Sequence, residues 1–464
     1  MNPTLLSRRE MLRSAAAGFG WLAFNGLHSA HATPNNPLAP IAPHFRPRAK
    51  RVIFLFMSGG PSQVDTFDYK PELTKKHNVK VSTAADGPVL FQSPWEFRPR
   101  GQSGMMVSDL LPHIAQHADD LCVINSMHTD HGAHPEAILQ MNTGSFLFAR
   151  PSVGSWVTYG LGTENQSLPG FITISPQFAG GGALKHSSGF LPAACAGTQI
   201  SDGGPGNGAP PASLKDYKLP FMQNAQLDAT AQRHQLDLLA KLNAERLRHD
   251  PANDAIEGIM QSAELAFKMQ REMPEVMSIA KESPKTLELY GIGDGKPTDH
   301  FGRACLMARR FTEAGVRFVQ VNHAFWDDHT EIVKNHPMHA LETDQPVGAL
   351  LADLKQRGLL DDTLVLWGGE FGRPPLLNKN KGRDHNNAGF SMWLAGGGSR
   401  GGIRYGSTNE TGANAEQDKV HLHDLHATML HLLGLDHERL TYRYAGRDFR
   451  LTDVHGRVVK GVLA

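Results

Sequence analysis

Cysteine is scarce: only Cys122, Cys195 and Cys305 occur in 464 residues. An odd number at wide spacing excludes a disulfide framework, and no CxxC pair offers a zinc site. Three buried, small, apolar side chains are expected, with one disulfide left open if the chain reaches an oxidising compartment. Net charge is missing too. Lys+Arg and Asp+Glu number 46 each, so no bulk attraction draws the chain to nucleic acid or an anionic membrane. No apolar run reaches the ~20 residues that span a bilayer, and no transmembrane segment is expected in the mature chain. There is no GxSxG elbow, no Walker loop and no GxGxxG after a strand. Histidine, by contrast, is abundant. The 24 imidazoles direct attention to metal binding and proton transfer.

The N-terminus reads as an address. Arg8 and Arg9 precede a stretch at 14–27 rich in Ala, Gly, Phe and Leu, and Ala30-His31-Ala32 fits a small-x-small cleavage site. The pattern is similar to a twin-arginine signal, in which the paired arginines are read by a receptor. Residues 1–32 are therefore expected to be a signal peptide recognised by the twin-arginine export machinery. The mature protein would fold before export and work in the periplasm or outside the cell. Residues 33–50, rich in Pro and Asn, read as a linker.

From residue 51 the chain alternates apolar runs with helical patterns. Residues 52–57 form a continuous apolar run broken by Ser58-Gly59-Gly60, the signature of a strand buried on both faces. Further strands are expected at 121–124, 170–174, 316–321, 363–367 and 390–395, and helices at 301–314, 347–357 and 425–433. This alternation predicts an α/β fold, three-layer α/β/α with a largely parallel central sheet, spanning 51–464. Residues 201–300 break the pattern. A Gly/Pro-rich loop at 201–212 and polar helices at 225–249 and 252–271 read as an insertion, either a lid over the site or a solvated appendage.

Four clusters follow or precede these strands, where open α/β sheets collect their ligands. Ser58-Gly59-Gly60-Pro61-Ser62 brings backbone N–H groups near an anion, and Asp65 follows as a candidate metal ligand. His128, His131 and His134 fall within seven residues. Asp327 and His329, two apart after the strand at 316–321, can face one ion, and such oxygen and nitrogen donors suit zinc, manganese or iron. Glu370 and Arg373 follow the strand at 363–367, while Arg383 and His385 precede the strand at 390–395. A carboxylate, an imidazole and two arginines suit a metal beside an anionic group.

Several phrases carry a family resemblance. They are Gly59-Gly60-Pro61-Ser62-Gln63-Val64-Asp65-Thr66-Phe67-Asp68, Pro151-Ser152-Val153-Gly154-Ser155-Trp156, Gly368-Gly369-Glu370-Phe371-Gly372-Arg373 and Arg383-Asp384-His385-Asn386. Together they resemble the bacterial family known as domain of unknown function 1501, itself similar to a divergent branch of the alkaline phosphatase/sulfatase superfamily. The resemblance implies an alkaline-phosphatase-like fold. It places His385 at the position of the superfamily's last metal-binding histidine and Asp327 and His329 at its central ligand pair. Three positions depart from that pattern. Ser58 and Gly59 stand where a metal-binding Asp is usual, Phe371 stands where a His is usual, and His134 stands at the nucleophile position.

These departures point to one divalent ion rather than two, held by some of Asp65, Asp327, His329, Glu370 and His385. His134 is left as ligand, general acid/base or nucleophile, and Arg373 or Arg383 would steady an anion. The function expected is a metal-dependent hydrolase of phosphate or sulfate esters, acting on a small anionic ester or a glycan. The alternative is a catalytically degenerate member that binds a glycan or a protein in the periplasm, using residues 201–300 as the contact surface.

Overall fold

The computed structural model describes residues 38–83, 87–175, 182–201, 217, 219, 226–249 and 254–464. The expected signal peptide, its paired arginines and the cut after Ala32 lie outside the described residues, as do residues 202–212 of the Gly/Pro-rich loop.

The apolar run at 52–57 becomes β1 (Arg51–Met57), buried along nearly its whole length. Around it the described residues build a nine-stranded sheet. The other strands are β2 (Leu121–His128), β3 (Phe171–Ile174), β4 (Thr198–Ile200), β5 (Phe318–His323), β6 (Thr363–Gly368), β7 (Phe390–Ala395), β8 (Ile403–Tyr405) and β9 (Val420–His421). Their order is β8-β2-β7-β6-β1-β5-β3-β4, with β9 also beside β2. β1 pairs in parallel with β5 and β6, and the sheet stays parallel except at β7, which runs antiparallel to both β2 and β6. That reversal matters for the site. The C-terminal ends of β1, β2, β5 and β6 and the N-terminal end of β7 all open on one edge.

Successive side chains of a strand point to opposite faces. On β1, Ile53, Leu55 and Met57 join a core with α5 (Asp299–Glu313) and α6 (Ile332–Gln356). Val52, Phe54 and Phe56 join a second core with α1 (His134–Thr143), α2 (Val153–Leu161) and α7 (Leu422–Leu432). Helices thus cover both faces, giving three layers. This is the expected α/β fold with a largely parallel sheet. No helix among the described residues is long and apolar enough to cross a membrane. All three cysteines are buried and free.

Three expectations shift. Residues 38–50 are packed onto the domain. Leu38 and Ala49 are buried, Ile41 N–H donates to Leu161 O (2.9 Å), and Arg48 N–H donates to Leu432 O (2.8 Å). Proline and asparagine suggested a linker, but the few apolar side chains decide the path. α6 begins fifteen residues before the helix expected at 347–357 and carries Pro337 and Pro346 within it. Burial of its long face outweighs the hydrogen bonds those prolines omit. Within the insertion, α3 (Ala229–His249) leaves Leu238, Leu239 and Leu242 exposed, whereas α4 (Asp254–Met277) places Leu265, Met269 and Met273 in the core beside α5. Their i, i+4, i+8 spacing makes one stripe, so α4 is part of the core rather than an appendage. Met273→Ala should lower stability by about 2–4 kcal/mol in urea unfolding, whereas Leu238→Ala on the exposed face of α3 should change it by less than about 0.5 kcal/mol.

Candidate metal centre

The turn after β1 is shaped by its glycines. Gly59 and Gly60 hold positive φ angles of 112° and 85°, and a Cβ on Gly59 would lie 2.6–2.8 Å from the backbone of Trp326 and Asp327. Only glycine tolerates both demands. The turn does receive an anion, and that anion is the protein's own. Gly59 N–H donates to both oxygens of Glu370, at 3.0 and 3.2 Å. Glu370 is fully buried and accepts a third hydrogen bond from His134 Nδ1 (2.7 Å).

The loop after β5 is held from both sides. Trp326, fully buried, donates its amide to Ser58 O (3.1 Å) and its indole N–H to His323 Nδ1 (3.1 Å). Asp327 follows, pinned through Oδ1 by Arg373 at 2.6 Å. Beneath it, His336 on α6 accepts the amide of Ser62 (3.3 Å) and donates to Asp328 Oδ2 (2.6 Å). Burial pushes the Asp328 carboxyl up, but hydrogen bonds from His336 and His339 outweigh it and leave it below the usual range.

Four groups converge on the solvent side of this scaffold. His134 Nε2 lies 3.2 Å from Asp327 Oδ2. His329 Nε2 and His385 Nε2 lie 3.0 and 3.3 Å from Asp327 Oδ1 and 2.8 Å from each other. One donor atom from each of the four can be chosen so that all lie within 4.8 Å of one another. Every imidazole is held from behind. Glu370 takes His134 Nδ1, Asp384 takes His329 Nδ1 (3.1 Å) and the Gly132 carbonyl takes His385 Nδ1 (2.7 Å).

A carbonyl oxygen only accepts, so His385 carries a proton on Nδ1 and turns Nε2 toward the shared centre. His329 Nδ1 is likewise taken by Asp384, and its Nε2 lies 2.8 Å from that of His385. His134 Nε2 is buried beside Asp327 Oδ2. Three imidazole nitrogens, a carboxylate and acceptors behind each ring are what a metal site with its outer shell requires. Charges agree. Burial alone would push His134 down, but Asp327 and Glu370 raise it to about 9. Burial would push Asp327 up, but His134, His385 and Arg373 hold it far below the usual carboxylate range.

The other expected site residues are placed differently. Asp65 is fully buried away from the four donors and is taken by Arg383, at 2.8 and 3.2 Å, and by Ser62 Oγ at 2.5 Å. Arg383 spends its remaining donors on the carbonyls of Pro374 and Phe91. Arg373 is also fully buried, bonded to the carbonyls of Gly59, Gly60, Trp326 and Arg383 as well as to Asp327. Neither guanidinium faces solvent, so the anion-binding role expected of them is corrected. Their partners lie far off in sequence, which is why motif reading aimed them outward. Glu370 touches His134 rather than the shared centre. His128 and His131 pack elsewhere, against His421 and Phe146. Asp384, His336 and His339 went unassigned, although Asp384 adjoins His385 and the two histidines sit three apart on one helix. Asp65→Asn should leave Arg383 buried and poorly paired, lowering stability by roughly 3–5 kcal/mol in urea unfolding. The metal content of the folded fraction should be unchanged.

Comparison with known proteins follows from this geometry. No curated protein sequence matches the chain. Among solved structures, the chain is similar to the PsFucS1 sulfatase from Pseudoalteromonas sp., with 14% identity, TM-score 0.37, and coverage of 84% of this chain and 68% of that one. A protein in the alkaline phosphatase superfamily from Vibrio parahaemolyticus gives 8% identity, TM-score 0.35 and coverage of 86% and 70%. The C-terminal periplasmic domain of EcEptC from Escherichia coli, in complex with Zn, gives 10% identity, TM-score 0.35 and coverage of 86% and 88%. The family described as "Protein of unknown function (DUF1501)" matches residues 49–463, and the chain belongs to that family.

Proposed function

We propose that the protein is an exported metal-dependent hydrolase of phosphate or sulfate esters. The observation that carries this reading is the convergence of His134, Asp327, His329 and His385, each imidazole tethered through Nδ1 so that Nε2 faces a common point. In this reading residues 1–32 are the twin-arginine signal, residues 51–464 form the working domain in the periplasm or outside the cell, and residues 201–300 are an insertion. The four donors would hold one divalent ion, and three nitrogens with one oxygen suit zinc, manganese or iron. Such an ion would supply Lewis acidity toward an ester oxygen and water.

The chain's own residues divide the remaining work. His134 Nε2 belongs to the donor set, so the same nitrogen is not free to attack phosphorus or sulfur, and water is the nucleophile. Glu370 holds His134 Nδ1 from the glycine turn, so that Nε2 faces the donor set. Arg373 is a positioning residue that keeps Asp327 ionised and aimed. The Asp327 and His329 side chains are 41% and 39% exposed, which leaves an open side for an ester.

The purified mature protein should contain about one equivalent of transition metal, measured by elemental analysis. His385→Ala should lose the metal together with hydrolysis of 4-nitrophenyl phosphate or sulfate. A metal-free wild type would overturn the reading. Metal with no turnover of any ester would instead favour the alternative, a metal-stabilised module that binds a glycan or a protein. A pH series gives an independent check. His134, raised to about 9, is an imidazolium at neutral pH, so the incoming metal must displace its proton. Apparent metal affinity should rise about tenfold per pH unit from 7 and level off near 9. A flat profile over that window would remove His134 from the donor set.

A further inference from the structure

A second cleft opens around Trp95, on the segment that meets His336. Residues 91–97 are fastened at both ends. Phe91 N–H donates to Pro375 O (2.9 Å), Phe91 O accepts from Arg383 (3.0 Å), and Glu96 O accepts the amide of Asp109 (2.8 Å). Between these anchors Trp95 stands half-buried, its ring 6.2 Å from that of His336. The Phe97 ring lies 5.4 Å from that of Tyr69, which is itself 39% exposed. Two cavities adjoin here, of about 360 and 340 Å³, and Trp95 lines both. Each has the size of a small-ligand pocket. No donor of the metal centre lines either one.

The first cavity joins two kinds of surface. Tyr69, Trp95 and Phe97 give it aromatic walls, and Thr74, Gln92 and Ser93 give it uncharged hydrogen-bonding groups. Among the described residues nothing takes the Thr74 hydroxyl or the Gln92 side-chain amide. Ser93 Oγ accepts from Trp95 N–H at 3.3 Å. The charged groups at the rim are already paired. Lys70 Nζ lies 3.2 Å from Asp68 Oδ1 and 3.2 Å from Thr408 O, and Glu96 is 2.9 Å from Arg98. The second cavity continues in kind. Leu110, Pro337 and Leu341 line it, and its carboxylates are engaged. Asp344 accepts the amides of His113 and Ile114 at 2.7 and 2.8 Å, and Asp109 holds Arg98 and Arg100 at 2.8 and 2.5 Å.

This division selects a ligand divided the same way. A pyranose ring has a face of C–H bonds that lies on an aromatic ring and a rim of hydroxyl groups that meets amides and hydroxyls. A charged ligand would find no unpaired counter-charge. A purely apolar one would cover the Gln92 amide without giving it a partner. Two adjoining cavities suit more than one ring.

We propose that the cleft around Trp95 is a binding site for a neutral oligosaccharide, with one pyranose ring against Tyr69 and the chain passing Trp95 into the second cavity. The site is separate from the metal centre, and the inference stands whether or not the hydrolase reading does.

The test titrates purified mature protein with maltotetraose, cellotetraose, mannotetraose and N-acetylchitotetraose, read by calorimetry and by tryptophan fluorescence. At least one should bind saturably. Tyr69→Ala should weaken that binding roughly three- to tenfold, the contribution of one aromatic contact, while Tyr69→Phe, which keeps the ring, should stay within about twofold of wild type. Gln92→Ala should weaken it roughly three- to tenfold, as loss of one or two hydrogen bonds does. It removes a half-buried amide with no protein partner, so it reports on the site even if Tyr69→Ala loosens the turn. His385→Ala should bind the sugar as wild type does. Four probes that all fail to saturate overturn the proposal. So does binding that neither Tyr69→Ala nor Gln92→Ala weakens, and so does binding lost in His385→Ala, which would move the sugar to the metal centre. Tetragalacturonate bound more tightly than every neutral probe overturns the neutral class.

Discussion

A guanidinium with no solvent exposure joins four loops at one edge of the sheet. Arg373 bonds to the carbonyls of Gly59 and Gly60 after β1, of Trp326 after β5 and of Arg383 before β7, and to the carboxylate of Asp327. It leaves β6 itself, so the ends of four strands meet on one side chain. Arginine suits this role because its planar fork offers five fixed donors and never loses its charge. The buried positive charge needs a carboxylate, and the carboxylate so recruited is the one that faces the three imidazoles. Asp327 is therefore aimed from behind by a structural pair, while its outer side stays open.

The same economy shapes the glycine turn. Amides of this kind commonly receive a substrate anion, but here they hold Glu370, and Glu370 holds His134. What resembles an anion-binding loop has become an outer support for an imidazole. A parallel arrangement lies below, where Ser62, His336 and Asp328 chain together beneath the Asp327 loop. The donor set is thus backed by Glu370, Asp384, the Gly132 carbonyl and Arg373, and its geometry is set before any ligand arrives. The antiparallel β7 completes it. A parallel strand in that place would deliver its N-terminal loop, with His385, to the opposite edge of the sheet.

Much of this was legible in the chain. The strands announced themselves as apolar runs ending in glycine or polar clusters, because a strand buried on both faces has no room for polar side chains. His134, Asp327, His329 and His385 were each flagged by position at a strand end, and the structure brings all four together. Arg373, Arg383 and Asp65 were flagged by the same rule and turn out to be internal. Position at a strand end tells which loop a residue occupies but not which way its side chain points. For Asp65 and Arg383, 318 residues apart, the deciding contact exists only after the sheet has formed. Pro337 and Pro346 hid the first half of α6, and with it His336 and His339, because local propensity opposed a helix that packing enforces.

The sequence by itself determined the class of fold and the inventory of imidazoles and carboxylates, since each follows from composition and local pattern. The tertiary structure alone decided which of those groups share a centre, which acceptor holds each imidazole from behind and which arginines are used up inside. The reason is physical. Hydrogen bonds and charge pairs depend on distances of about 3 Å between groups hundreds of residues apart, and no local pattern encodes such a distance.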